Sequence, residues 1–139
     1  VAGHQEAFSD QESRLLDTVE SLFAERLFQP PDLDEVPACV GSTPKETGRL
    51  IQLLVQHDRL VRVAGNLVFH KKAVERAREV VLQHFRSDNR LESVKFKYLI
   101  DTTRKYAIPL LDYLDRIGVT SRVGNTRFPG GSRNAGPRT

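Results

Sequence analysis

The stretch Leu50-Ile51-Gln52-Leu53-Leu54-Val55-Gln56-His57-Asp58, followed by Leu60-Val61-Arg62-Val63, Gly65-Asn66 and Leu67-Val68-Phe69, decides the fold. Leu50, Ile51, Leu53, Leu54 and His57 recur at helical spacing and predict a helix to Asp58. The runs on either side of Gly65-Asn66 predict strand, turn, strand, because both turn residues tolerate the positive φ of a tight hairpin. Upstream, Thr43-Pro44-Lys45-Glu46 reads as the start of this helix, a capping box with Pro at the first helical position. Leu33, Val36 and Val40 predict a short helical segment over 32–40, limited by Pro37 to about two turns and ended by Gly41. Ser9-Asp10-Gln11-Glu12 opens a further capping box. Leu15, Leu16, Val19, Leu22 and Phe23 carry that helix to about Phe28, where Pro30-Pro31 stops it. Helix, short helix, longer helix and hairpin is the layout of a winged helix, a helix-turn-helix with a β-hairpin wing.

The second half repeats the layout. A helix over 71–85 has Val74, Ala77, Val81, His84 and Phe85 on its buried stripe, with Ala73 and Val80 beside it. A turn at Ser87-Asp88-Asn89 leads to a short helix over 93–100, with Phe96, Leu99 and Ile100 inward. Thr103 is placed to cap a longer helix carrying Ala107, Ile108, Leu110, Leu111 and Leu114, and Gly118 ends it. A second hairpin follows, turning at Gly124-Asn125. Leu53 to Arg59 aligns with Leu110 to Arg116 at an offset of 57, and the two Gly-Asn turns align at an offset of 59. Two copies of about 60 residues therefore fill the chain, a length that folds alone only marginally. The expected organisation is a mainly α chain with small β-hairpins: tandem winged helices over 1–70 and 71–128, packed together, then a mobile tail over 129–139. Pro109 conflicts with its surroundings, since it removes a donor inside the last long helix. A kink or an irregular first turn is expected there, re-aiming Arg104, Lys105 and Tyr106.

Composition narrows the function. The chain has 139 residues, 39% hydrophobic and 28% charged, which suffices for a core. No run of 18 apolar residues exists, so no membrane span is expected. The N-terminus Val1-Ala2-Gly3-His4-Gln5-Glu6 lacks a signal-peptide pattern. It also lacks an initiator Met, as a piece of a longer protein would. One cysteine, Cys39, excludes an internal disulfide framework and a multi-cysteine zinc site, and makes a cytoplasmic setting the default. The net charge of +3 hides a division: six basic against eleven acidic residues in 1–69, fifteen against seven in 70–139. The second half is the candidate polyanion binder.

Nothing reads as catalytic. Ser42-Thr43-Pro44-Lys45 lacks the glycines of a phosphate-binding loop. His4, His57, His70 and His84 are scattered without metal-ligand spacing, and His57 and His84 read as packing residues. Cys39 reads as a small buried residue, and Asp112 and Asp115 as solvent-facing or charge-capping beside Arg116. No cofactor, metal or enzymatic activity is expected of these residues. Binding is better supported, because a winged helix presents its third helix and its wing to a nucleic acid. The first unit places Lys45, Arg49 and Arg62 there, diluted by Glu46 and Asp58. The second places Lys95 and Lys97 on the short helix, Arg104 and Lys105 at the start of the third, and Arg122 and Arg127 on the wing. Tyr106 and Asn125 could add stacking or base-edge contacts, Tyr106 with an equal claim to the core.

The run from Thr103 to Arg127 adds a family. Its Arg104-Lys105-Tyr106-Ala107-Ile108-Pro109-Leu110-Leu111 segment, its Leu114-Asp115-Arg116-Ile117-Gly118-Val119-Thr120 ending and its Arg122-Val123-Gly124-Asn125 wing resemble the last winged helix of SelB, the bacterial selenocysteine-specific elongation factor. The preceding unit resembles the penultimate one by layout, so the resemblance spans about 8 to 128. It implies the end of a tail of winged helices, behind a GTPase that would hold the GTP. That tail recognises the SECIS hairpin of the messenger RNA at UGA codons, and the full-length factor also meets selenocysteyl-tRNA and the ribosome. Carried over by motif, Arg104, Lys105 and Tyr106 fall in the recognition helix and Arg122, Asn125 and Arg127 in the wing. Thr102-Thr103 departs from an expected Ser but keeps a hydroxyl cap. The expected protein is a monomeric, non-enzymatic RNA-binding module, its acidic first unit a spacer. A winged-helix DNA-binding transcription regulator and a protein-interaction winged helix are the alternatives.

Overall fold

The computed structural model describes residues 9–130. His4 and most of the expected tail, from residue 131, lie outside them. The first unit comprises α1 (Asp10–Arg26), α2 (Val36–Val40), α3 (Pro44–Gln56) and the hairpin β1 (Leu60–Ala64) and β2 (Leu67–His70). The second comprises α4 (Lys71–His84), β3 (Leu91–Glu92), α5 (Ser93–Leu99), α6 (Arg104–Arg116), β4 (Thr120–Val123) and β5 (Thr126–Pro129). Both are winged helices. Among the described residues no helix is long and apolar enough to cross a membrane.

Local chemistry explains most boundaries. Ser9 and Glu12 form the reciprocal capping box of α1. Thr43 accepts from the Glu46 amide at 3.1 Å, but the Glu46 carboxylate serves Arg49, which lies at 2.8 Å and holds that carboxyl below its usual pKa. Gly41, Gly118 and Gly124 take the left-handed conformation that closes α2, α6 and the second wing. Pro37 sits in the first turn of α2 rather than at its end. Its ring is tolerated there because the first-turn amides have no helical partner to lose.

Several expectations give way to tertiary packing. α1 stops at Arg26, because Leu27 (φ 48°) turns and, with Phe28, packs against the second unit's core. The first hairpin closes without positive φ at Gly65 or Asn66. Its register slips between Arg62 and Ala64, and such a bulge supplies local twist that the tip then does not need. The second wing is a three-stranded sheet, order β3-β5-β4, rather than a bare hairpin: Leu91 and Glu92 pair with Arg127 and Thr126. Two residues carry too little pattern to announce a strand. Pro109 neither breaks nor splits α6, which runs unbroken from Arg104 to Arg116. Thr103 stands at the N-cap, yet its hydroxyl makes no capping bond. The neighbouring Thr102 donates instead to the Phe28 carbonyl of the first unit at 2.9 Å. His57 and Cys39 are exposed rather than packed. The buried histidine is His70, whose Nε2 lies 2.9 Å from Glu20 while Nδ1 accepts from the Lys72 amide and caps α4. Pro129 ends β5, and Gly130, assigned to the tail, is buried with its N–H donating to the Val119 carbonyl at 3.0 Å.

One core, with Val19, Phe23, Leu50, Leu60 and Val68, belongs to the first unit. The other joins the units: Val63 and Phe69 of the first hairpin pack with Val81, Leu91, Phe96, Leu110 and Leu114. The first wing is thus a wall with a core on each face. Arg116 of α6 closes the joint by donating to the carbonyl of Val63, the residue skipped by the ladder. We expect Phe69→Ala, at a fully buried position of the shared core, to cost about 3–5 kcal/mol. Urea unfolding should show a lower midpoint for probes in either unit, not in one alone.

Candidate nucleic-acid interface

A groove of about 370 Å³ opens between α5, α6 and the second wing, lined by Glu92, Ser93, Val94, Arg104, Ile108, Arg122, Asn125 and Arg127. Arg104 enters from the first turn of α6, whose positive dipole end carries no side-chain cap. Arg122 enters from β4, and Asn125 from the wing tip.

Arg127 forms the floor. It is 1% exposed, so its guanidinium must be surrounded by acceptors. Its three nitrogens are all committed: one to Asp112 at 2.7 Å, one to Asp115 at 3.3 Å and one to the Ser93 hydroxyl at 2.9 Å. Ser93 lies 3.5 Å from the Asn125 carbonyl, and Asp115 also accepts from Thr120. Arg127 therefore ties the start of α5, the face of α6 and both wing strands into one arrangement. It supports the groove: expected as a wing cation open to a ligand, it is instead buried with its nitrogens paired. Asp112 and Asp115, three apart on α6, are its counter-ions rather than solvent-facing charges. Asp112 also holds Arg122 at 3.3 Å, and the Arg122 Nε donates to the Gly124 carbonyl at 2.8 Å. That leaves an aimed, half-exposed guanidinium at the groove edge.

The remaining candidates lie elsewhere. Lys105 reaches across to Asp32 of the first unit at 3.4 Å, and that carboxylate, with the Tyr106 phenol, raises its pKa. Tyr106 is half-buried against the shared core. Lys95 lines a separate cleft beside α4, with Arg76, Gln83 and His84. Lys97 holds its ammonium 4.9 Å from the Tyr98 ring centre. Arg104, Arg122, Asn125 and the floor residue Arg127 thus share one groove, and the other four do not. Ser93, Val94 and Ile108 were missed, since a serine and two aliphatics carry no charge signal. In the first unit, Arg49 is tied to Glu12 and Glu46 at 2.7 and 2.8 Å, and Arg62 to the Gly65 carbonyl at 2.7 Å. Its wing is spent on the shared core.

Residues 83–128, the bulk of the unit that holds this groove, match the family described as elongation factor SelB, winged helix. The chain is similar to the C-terminal winged-helix region of SelB. A selenocysteine-specific elongation factor from Desulfomicrobium baculatum is 28% identical over 127 residues, 91% of this chain and 20% of that protein. The chain thus spans about a fifth of that relative. The mRNA-binding domain of SelB from E. coli, solved in complex with SECIS RNA, superposes with a TM-score of 0.75 at 19% identity, over 88% of this chain and 99% of that one. A bacterial selenocysteine-specific elongation factor, EF-Sec, superposes with a TM-score of 0.65 at 21% identity, over 89% of this chain and 20% of that one. These two likenesses speak for the fold.

Arg127→Ala should lower stability by about 3–5 kcal/mol, because it leaves Asp112 and Asp115 beside a buried space without their counter-ion. Arg122→Ala removes an exposed pair and an exposed hydrogen bond to Gly124 and should change stability by less than about 1 kcal/mol. Guanidinium unfolding of the two variants checks the contrast.

Proposed function

We propose that this chain is the RNA-binding end of a selenocysteine-specific elongation factor, and that its second unit grips an mRNA hairpin of the SECIS kind. The observation that carries this reading is the groove itself. In the unit matching the SelB winged helix, Arg104 of α6, Arg122 of β4 and Asn125 of the wing tip line one groove, Arg104 standing at the uncapped positive end of α6. Two guanidiniums bind phosphates by charge-assisted pairs, and Asn125 offers a donor and an acceptor to a base edge.

RNA suits this groove better than a DNA duplex. A single narrow groove on one copy of the motif matches a loop or a bulge, where bases are splayed from the stack. Dimeric helix-turn-helix readers of duplex DNA pair two half-sites about one helical turn apart. The first unit acts as a spacer: Arg26, Arg49 and Arg59 are paired with carboxylates of the same unit, and its wing packs into the shared core. The GTPase and tRNA functions belong, on this reading, to other segments of the full factor, and this part needs no cofactor of its own.

Wild type should bind an RNA stem-loop in preference to the same stem without its loop and to duplex DNA, in gel-shift competition. Arg104→Ala and Arg122→Ala should each weaken stem-loop binding and reduce the slope of log affinity against log salt by about 0.7–0.9, one phosphate contact apiece. Equal affinity for all three nucleic acids, or a slope untouched by both substitutions, overturns the reading.

A further inference from the structure

We infer that Tyr98, on the outer face of α5 and outside the groove, is a stacking platform for an unpaired nucleobase. The inference rests on the RNA-binding reading above and extends its contact surface.

Tyr98 is 70% exposed, more than any other large hydrophobic residue among those described. The fold does not require it there. α5 anchors through Phe96, and Ile100 follows into the core, while Tyr98 points away from both. Val94 lies one helical turn before Tyr98 on the same face, and Val94 lines the groove. The tyrosine therefore prolongs the groove wall along α5. In a helix-turn-helix on duplex DNA the first helix lies against the backbone beside the groove that the second enters, and α5 holds that first position.

The charge around the ring selects the occupant. Residues 90–105 contain five basic side chains against two acidic ones, Glu92 and Asp101. Glu92 is engaged by the Thr126 hydroxyl at 3.1 Å. The Lys97 ammonium sits 4.9 Å from the Tyr98 ring centre, and Lys95 lies on the neighbouring side of the helix. An apolar protein surface laid on Tyr98 would have to strip water from both ammonium groups. A polyanion that also carries flat aromatic rings satisfies the cations and the tyrosine together, and single-stranded nucleic acid is that chemistry. A base inside a duplex has both faces covered by its neighbours, so only an unpaired one can stack here.

The test uses the full chain with a labelled RNA stem-loop and the same stem lacking its loop, titrated at several salt concentrations. Tyr98→Ala should weaken stem-loop binding about 5- to 150-fold, the range of one lost base stack, with the salt slope unchanged. Tyr98→Phe and Tyr98→Trp should bind as wild type, and the loopless stem should not distinguish Tyr98→Ala from wild type. Tyr98→Ala binding the stem-loop as wild type does, or losing equally on both RNAs, overturns the inference and leaves the RNA-binding reading standing. A wild type that binds neither RNA removes both.

Discussion

A two-stranded hairpin has two faces, and here both are buried. Leu60 and Val68 point into the first unit's core while Val63 and Phe69 point into the core of the second. Most of the molecule's organisation follows. A hairpin in water is marginal by itself, and this one is held only by what covers it. The bulge at Val63 frees a carbonyl, and Arg116 of α6 supplies its donor. Thr102 and Lys105, at the turn before that helix and in its first turn, reach back to Phe28 and Asp32. The orientation of α6 is therefore set as much by the first unit as by its own.

That arrangement divides the labour between two similar units. In the first, the wing that could have touched a ligand is consumed by packing, and Arg49 and Arg62 are bound at home. In the second, the wing is free on its outer side and is stiffened from within by Arg127. A buried guanidinium is expensive to desolvate and is tolerated only with close counter-ions. Asp112 and Asp115 provide them, and through them the distance between helix and wing is held before any ligand arrives. Preorganisation of this kind lowers the ordering cost of binding.

The winged-helix layout was readable because its signals are local: capping residues, helical spacing and the glycines after α2, α6 and β4. The doubled pattern and the family resemblance were readable for the same reason. The burial of the first wing also left a trace, since Leu60-Val61 and Leu67-Val68-Phe69 are nearly continuous apolar runs, as strands covered on both faces require. The second wing, Thr120-Ser121-Arg122 and Thr126-Arg127, is polar by comparison. The candidate site was only half readable. Charge located the unit that holds the groove and three of its side chains, Arg104, Arg122 and Arg127, and the turn pattern added Asn125. Charge could not tell Arg127, fully buried, from Arg122, two strand positions from the closing turn, because identical side chains carry no label of burial.

The amino-acid order alone set the element types, their succession, the twofold repeat and the side of the chain that is basic, because each depends on neighbours within a few residues. The folded structure decided which arginine edges the groove and which is a buried strut, that Lys95, Lys97, Lys105 and Tyr106 lie outside the groove, that Leu91 and Glu92 join the sheet, and that Thr102 rather than Thr103 uses its hydroxyl. Each of those outcomes turns on a partner distant in sequence, and side-chain burial and pairing are settled only when such partners meet.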